Sequence, residues 1–153
     1  MRTCLTLIVA TVSLAAAYAQ DADTASIQAK VAEGIKTRDA SVAAFAQGQA
    51  DEGRKLGETS VTLLHEAREA YDAMGAAESN DFGVLVAYAD LLVEQGDHDL
   101  AEKALLRAVD VDRESAQAWL KLGQTESRLG PRSETRAIRS LRQAAAIEPK
   151  SEA

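Results

Sequence analysis

The sequence predicts an all-α fold of about three stacked antiparallel helical hairpins. Three observations carry that expectation. Ala, Leu, Glu, Gln and Arg dominate, aromatics are scarce, and no alternating β-branched run is available for strands. The apolar residues recur at helical spacing, which gathers them on one side of each segment. The two prolines, Pro131 and Pro149, stand where helices would end.

Residues 1–19 read as a cleaved secretory signal. Arg2 precedes an apolar and small-residue stretch from Leu5 to Ala17, which ends in Ala17-Tyr18-Ala19 before the polar Gln20-Asp21-Ala22-Asp23, so cleavage is expected after Ala19. The alternative is an uncleaved anchor, but the stretch is shorter than the ~20 residues that cross a bilayer. A periplasmic or secreted location follows, with no stable membrane span after cleavage. The single cysteine, Cys4, would leave with the leader. The remainder would then have no thiol, hence no disulfide framework, no thiolate nucleophile and no cysteine metal site. Residues 20–153 are long enough for one domain with a sizeable core.

The first helix is expected from about Thr24 to Gln47, with Ile27, Val31, Ile35, Val42 and Phe45 on one stripe. Gly48 to Gly57 reads as the loosest stretch. A second helix follows from about Glu58 to Met74, carrying Val61, Leu64, Ala67, Tyr71 and Met74, with Gly75 as its stop. Ser79 and Asn80 are the candidate caps of the third helix, about Asp81 to Gln95. Gly96 separates it from the fourth, about Asp97 to Val111. Ser115 opens the fifth helix and Leu129-Gly130-Pro131 closes it; Ser133 caps the sixth, which Glu148-Pro149 ends.

A repeat runs through this pattern. Ala67 and Ala101, Tyr71 and Leu105, Met74 and Ala108 stand about 34 residues apart, and the same step takes Leu85 to Trp119, Tyr88 to Leu122 and Ala89 to Gly123. With Trp119-Leu120-Lys121-Leu122-Gly123 as a hairpin start, the chain resembles the tetratricopeptide repeat (TPR) family. With two residues inserted near Pro131, Ala137, Leu141 and Ala144 take the small, large, small places of the last hairpin, and Pro149 takes the closing proline. The resemblance implies a TPR-like stack, an α-solenoid. Residues 20–78 would form a divergent N-terminal hairpin and 79–153 two repeats, about 81–113 and 115–149. Small residues at Ala89, Ala101, Gly123 and Ala137 would let neighbouring hairpins approach closely. An ordinary helical bundle is the alternative, and Trp119 is the residue that most separates the two.

No catalytic residue, metal site or cofactor is expected. His65-Glu66-Ala67-Arg68-Glu69 begins like a zinc-protease helix, but Glu69 stands where the second histidine is needed. In Asp97-His98-Asp99, either aspartate would cap the fourth helix, with Glu102 completing a box after Asp99. No glycine-rich phosphate loop or serine elbow is present.

The net charge of −7 argues against nucleic acid or an anionic lipid surface as the partner. The charge is split: acids exceed bases through Asp112, and bases exceed acids from Arg113 onward. Arg132, Arg136, Arg139 and Arg142 form a basic stripe on the last helix, away from Ala137, Leu141 and Ala144. If the resemblance holds, the first helix of each hairpin lines a concave face. The contacts it implies are Val86, Asp90, Val93 and Glu94 on the third helix, and Leu120, Gln124, Ser127 and Arg128 on the fifth. The expected function is an exported scaffold that holds a peptide or helix of a partner protein in this groove. The alternative is a self-assembling structural protein whose oppositely charged ends associate head to tail, a weak homo-oligomer.

Overall fold

A computed structural model describes residues 3–147, with side chains from Asp23 onward. The side chains of the expected leader, and Pro149, lie outside the described residues. Among the described residues six α-helices follow one another: α1 (Thr3–Ala46), α2 (Ala50–Ala73), α3 (Phe82–Glu94), α4 (His98–Val111), α5 (Ala116–Arg128) and α6 (Glu134–Ile147). One-turn 3-10 helices at Ala76–Glu78 and Pro131–Ser133 precede α3 and α6, and no strand occurs among the described residues. The described residues are all-α, and in the segment from α3 to α6 they pack as the successive helical hairpins that the repeat spacing predicts.

The first helix begins well before Thr24, since neither glycine nor proline interrupts the chain ahead of Gly34. It ends at a left-handed Gly48 (φ 77°), with Gln49 N–H donating to the Ala44 carbonyl at 2.9 Å. α3 ends the same way at Gly96 (φ 80°), with Asp97 N–H on the Leu92 carbonyl at 2.9 Å.

The contacts divide the chain into two units, Met1–Leu63 and Leu64–Ala153, with the boundary inside α2. In the first unit, Gly48 to Gly57 is not a loose stretch, because α2 already starts at Ala50. Its glycines serve packing. The ring of Phe45 lies over Gly53, where a β-carbon would stand 2.8 Å from Cδ2. The buried Ser41 hydroxyl donates to the Gly53 carbonyl at 2.6 Å, and the buried Ser60 hydroxyl to the Gly34 carbonyl at 2.8 Å. This seam of small residues corrects the expected apolar stripe. Ile27 is buried, but Val42 and Val61 are 64% and 69% exposed, and the interior positions belong to Gly34, Ser41 and Ala44.

In the second unit the segment of α2 from Leu64 carries the part of that helix that keeps the repeat register. Leu64, Ala67 and Tyr71 are buried, and the Tyr71 ring packs against Tyr88 of α3 at 5.7 Å between centroids, inclined 56°. Each following helix packs on the one before it, α4 on α3, α5 on α4 and α6 on α5. Ala89, Ala101, Gly123 and Ala137, the small positions of the repeat, are all buried. Burial of such contacts by neighbouring hairpins supplies the stability that one hairpin lacks. Trp119 is only half-buried; its indole N–H donates to the Arg113 carbonyl at 3.0 Å, tying α5 to the preceding loop.

The helix starts match the sequence in part. Ser115 caps α5 by accepting from Ala118 N–H at 3.2 Å. α3 is capped by Asp81, whose Oδ1 accepts from Val84 N–H at 3.0 Å, while Ser79 accepts from Asp81 N–H and braces the cap. Asp97 occupies the N-cap position of α4 without a side-chain cap bond, because its carboxylate turns to Arg68 at 3.0 Å. Glu102 does not close a box on Asp99; it is buried and paired with Arg136 at 2.6 Å. Ser133 directly precedes α6, and its hydroxyl accepts from Arg136 Nη2 at 2.8 Å.

Candidate functional site

α3 and α5 are the first helices of successive hairpins, and between them lies a groove of about 160 Å³ lined by Asp90, Val93, Leu105, Lys121, Gln124, Thr125 and Arg128. Helical spacing builds it. Asp90 and Val93 are one turn apart on α3, while Lys121, Gln124 and Arg128 follow at intervals of three and four on α5, so each set shares a face. Its floor is buried, formed by Leu105 and Thr125.

The groove's walls are joined by a charge pair. Lys121 Nζ donates to Asp90 Oδ1 at 2.6 Å, with a half-exposed carboxylate and a better covered ammonium. A pair so open to water contributes only about 0.2–1 kcal/mol to stability. Its larger effect is on the groove itself: one cation is already partnered, and the guanidinium of Arg128 lines the same rim.

Four of the eight contacts expected from the repeat, Asp90, Val93, Gln124 and Arg128, thus come together. Val86 is half-buried one turn before Asp90, Glu94 is exposed at the end of α3, and the Ser127 hydroxyl donates to the Gln124 carbonyl at 2.7 Å within its own helix. Leu120 lines a different hollow, with Leu141 and Ala145. Lys121 was not among the expected contacts. The signal was there, since Lys121, Gln124 and Arg128 keep a three-and-four spacing, but Lys121 stands inside the Trp119-to-Gly123 motif and reads as its filler.

The basic stripe is broken. Arg136 pairs with Glu102 and Ser133, Arg132 belongs to the 3-10 turn, and Arg139 and Arg142 share an outer hollow with Thr135, Ile138 and Gln143. His65 is exposed beside Glu69 at 3.5 Å. Among the described residues, no three His, Cys, Asp or Glu side chains gather as a metal site would require. No helix of the described residues is long and apolar enough to cross a membrane.

Elsewhere on α3, the hydroxyl of the buried Tyr88 donates to Asp72 Oδ1 at 2.6 Å. Burial first, then that hydrogen bond and the carboxylate's charge, push the phenol up from 10.0 to about 12.

Residues 82–125 match the tetratricopeptide repeat family. The TPR match runs from the first residue of α3 through Thr125 of α5, so it contains most of the groove's lining. Among solved structures, the chain is similar to the second TPR of Spaghetti (RPAP3) bound to HSP90 peptide SRMEEVD. The two are 18% identical, with 78% of this chain and 96% of that chain covered and a TM-score of 0.49. No curated protein matches the chain.

Proposed function

We propose that this chain is an exported protein-interaction module that holds a peptide or helical segment of a partner in the groove between α3 and α5. The observation that carries the reading is the convergence of Asp90, Val93, Gln124 and Arg128, with Lys121, on one strip between α3 and α5, all of it but Arg128 inside the TPR-matched segment. The strip offers a buried apolar floor, one apolar wall residue and polar groups of both signs. That combination suits an extended or helical peptide bearing mixed side chains better than a small rigid ligand.

Export rests on the layout of residues 1–19, and N-terminal sequencing of the protein recovered from the extracytoplasmic fraction tests it. The expected first residue is Gln20. For the groove, the test is a pull-down with residues 20–153 and with its Asp90→Ala, Lys121→Ala, Arg128→Ala triple variant. A partner retained by the first and lost by the second supports the reading. Identical recovery by both contradicts it.

A further inference from the structure

The groove between α3 and α5 carries three charged side chains, and two of them are already joined. Lys121 Nζ stands 2.6 Å from Asp90 Oδ1, and the lysine is the more covered partner, 26% exposed against 49%. Both charges belong to one chain, so the carboxylate meets the ammonium at a high effective concentration. An incoming carboxylate could reach Lys121 only by displacing Asp90. That exchange leaves the number of ion pairs unchanged and sets Asp90 against a second acid. Asp90 therefore stands where an acidic group of a ligand would stand.

Arg128 is placed differently. It is exposed on the same lining, seven residues past Lys121 and so about 10 Å further along α5. Among the described residues it makes no ion pair. The rest of the lining, Val93, Leu105, Gln124 and Thr125, carries no charge. The space of about 160 Å³ is well below the ~300 Å³ of a site for a drug-sized molecule, and it suits a single aliphatic side chain against Val93 and Leu105.

Resting on the reading of this groove as a peptide site, we infer that Asp90 determines its specificity. By holding Lys121, Asp90 limits the groove to a segment with one carboxylate, paired to Arg128, beside one aliphatic side chain, and it denies a second carboxylate any gain.

Fluorescence anisotropy of the full chain tests it with four labelled peptides built around one leucine. One is uncharged and one has a single glutamate. One has two glutamates three residues apart, about 10 Å in an extended chain, and one has lysine in place of the second glutamate. The parent is expected to bind the one-glutamate peptide about threefold to fivefold more tightly than the uncharged one, the range of an exposed ion pair, and to gain no more than about twofold from the second glutamate. Arg128→Gln should erase the first gain. Asp90→Asn should make the second glutamate worth about fivefold, and Lys121→Gln added to it should remove that gain, while circular dichroism reports the fold of each variant. A second glutamate already favoured in the parent, an Asp90→Asn variant indifferent to it, or preference for the lysine peptide would overturn the inference. So would equal binding of all four peptides or binding of none. A partner crosslinked from Gln124 would leave the groove reading standing in each of those cases, whereas absence of that crosslink would remove both.

Discussion

Leu141 lies so close over Gly123 that a β-carbon there would stand 2.7 Å from its Cγ, and 3.1 Å from the Ala137 carbonyl oxygen. The two residues are the point at which α5 and α6 approach within a hairpin. Alanine would favour the α5 helix by roughly 0.5–1 kcal/mol over glycine. Overpacking costs about 1–3 kcal/mol, and here part of the obstacle is backbone. Gly123→Ala should therefore lower stability by about 1 kcal/mol in denaturant unfolding. Adding Leu141→Ala should recover less than the whole loss, because the Ala137 carbonyl stays in place.

Asp97 separates a cap from an ion pair. If its stability contribution comes from Arg68, Asp97→Asn and Asp97→Ala should cost alike, about 0.5–1 kcal/mol, since asparagine caps well but carries no charge. At Asp81, which does cap, Asp81→Asn should be tolerated and Asp81→Ala should cost about 1 kcal/mol. Chemical denaturation of the four variants checks the contrast.

The arginines of the last hairpin are not equivalent. Arg136→Ala leaves the buried Glu102 carboxylate without its cation and should cost about 1–2 kcal/mol, reduced from the buried-pair range because the guanidinium is half-exposed. Arg139→Ala and Arg142→Ala should fall within about 0.5 kcal/mol of the parent. Thermal unfolding of the three single variants reads the difference.

Tyr88 gives the fold an alkaline limit. Its phenol is raised above the ordinary 10.0, so the folded state holds the proton more tightly than the unfolded chain. The resulting stability is complete below about pH 10 and is lost as pH rises through about 12. Unfolding between pH 9 and about pH 12 should show that loss in the parent and a flatter profile in Tyr88→Phe. Asp72→Asn, which removes the charge but keeps an acceptor, should lie between them.

Much of this fold was legible because helical repeats write themselves as spacing. The step of about 34 residues predicts Ala101, Leu105, Leu122 and Gly123 as interior positions, and all four are buried. Upstream, the same reasoning faltered for a physical reason. α1 and α2 meet through Gly34, Ser41, Gly53 and Ser60, a seam held by serine-to-carbonyl hydrogen bonds. An apolar stripe search passes over such residues and settles on Val42 and Val61, which are exposed. In the site, the resemblance implies Asp90 and Gln124 on one face, and both line the groove, but it does not give the side-chain reach that brings Lys121 to Asp90. Nor could spacing along one helix show that Arg136 is spent on Glu102 in another. Those pairings depend on how far two helices stand apart, which no single segment encodes.

Site-specific photo-crosslinking in the native compartment tests the central claim most directly, with a photoreactive residue placed in turn at Gln124, at Val93 and at Lys103 on the far side of α4. The account predicts one and the same partner adduct from Gln124 and Val93 and none from Lys103. Adducts of equal yield from all three positions, or from Lys103 alone, would contradict a partner held in the groove between α3 and α5.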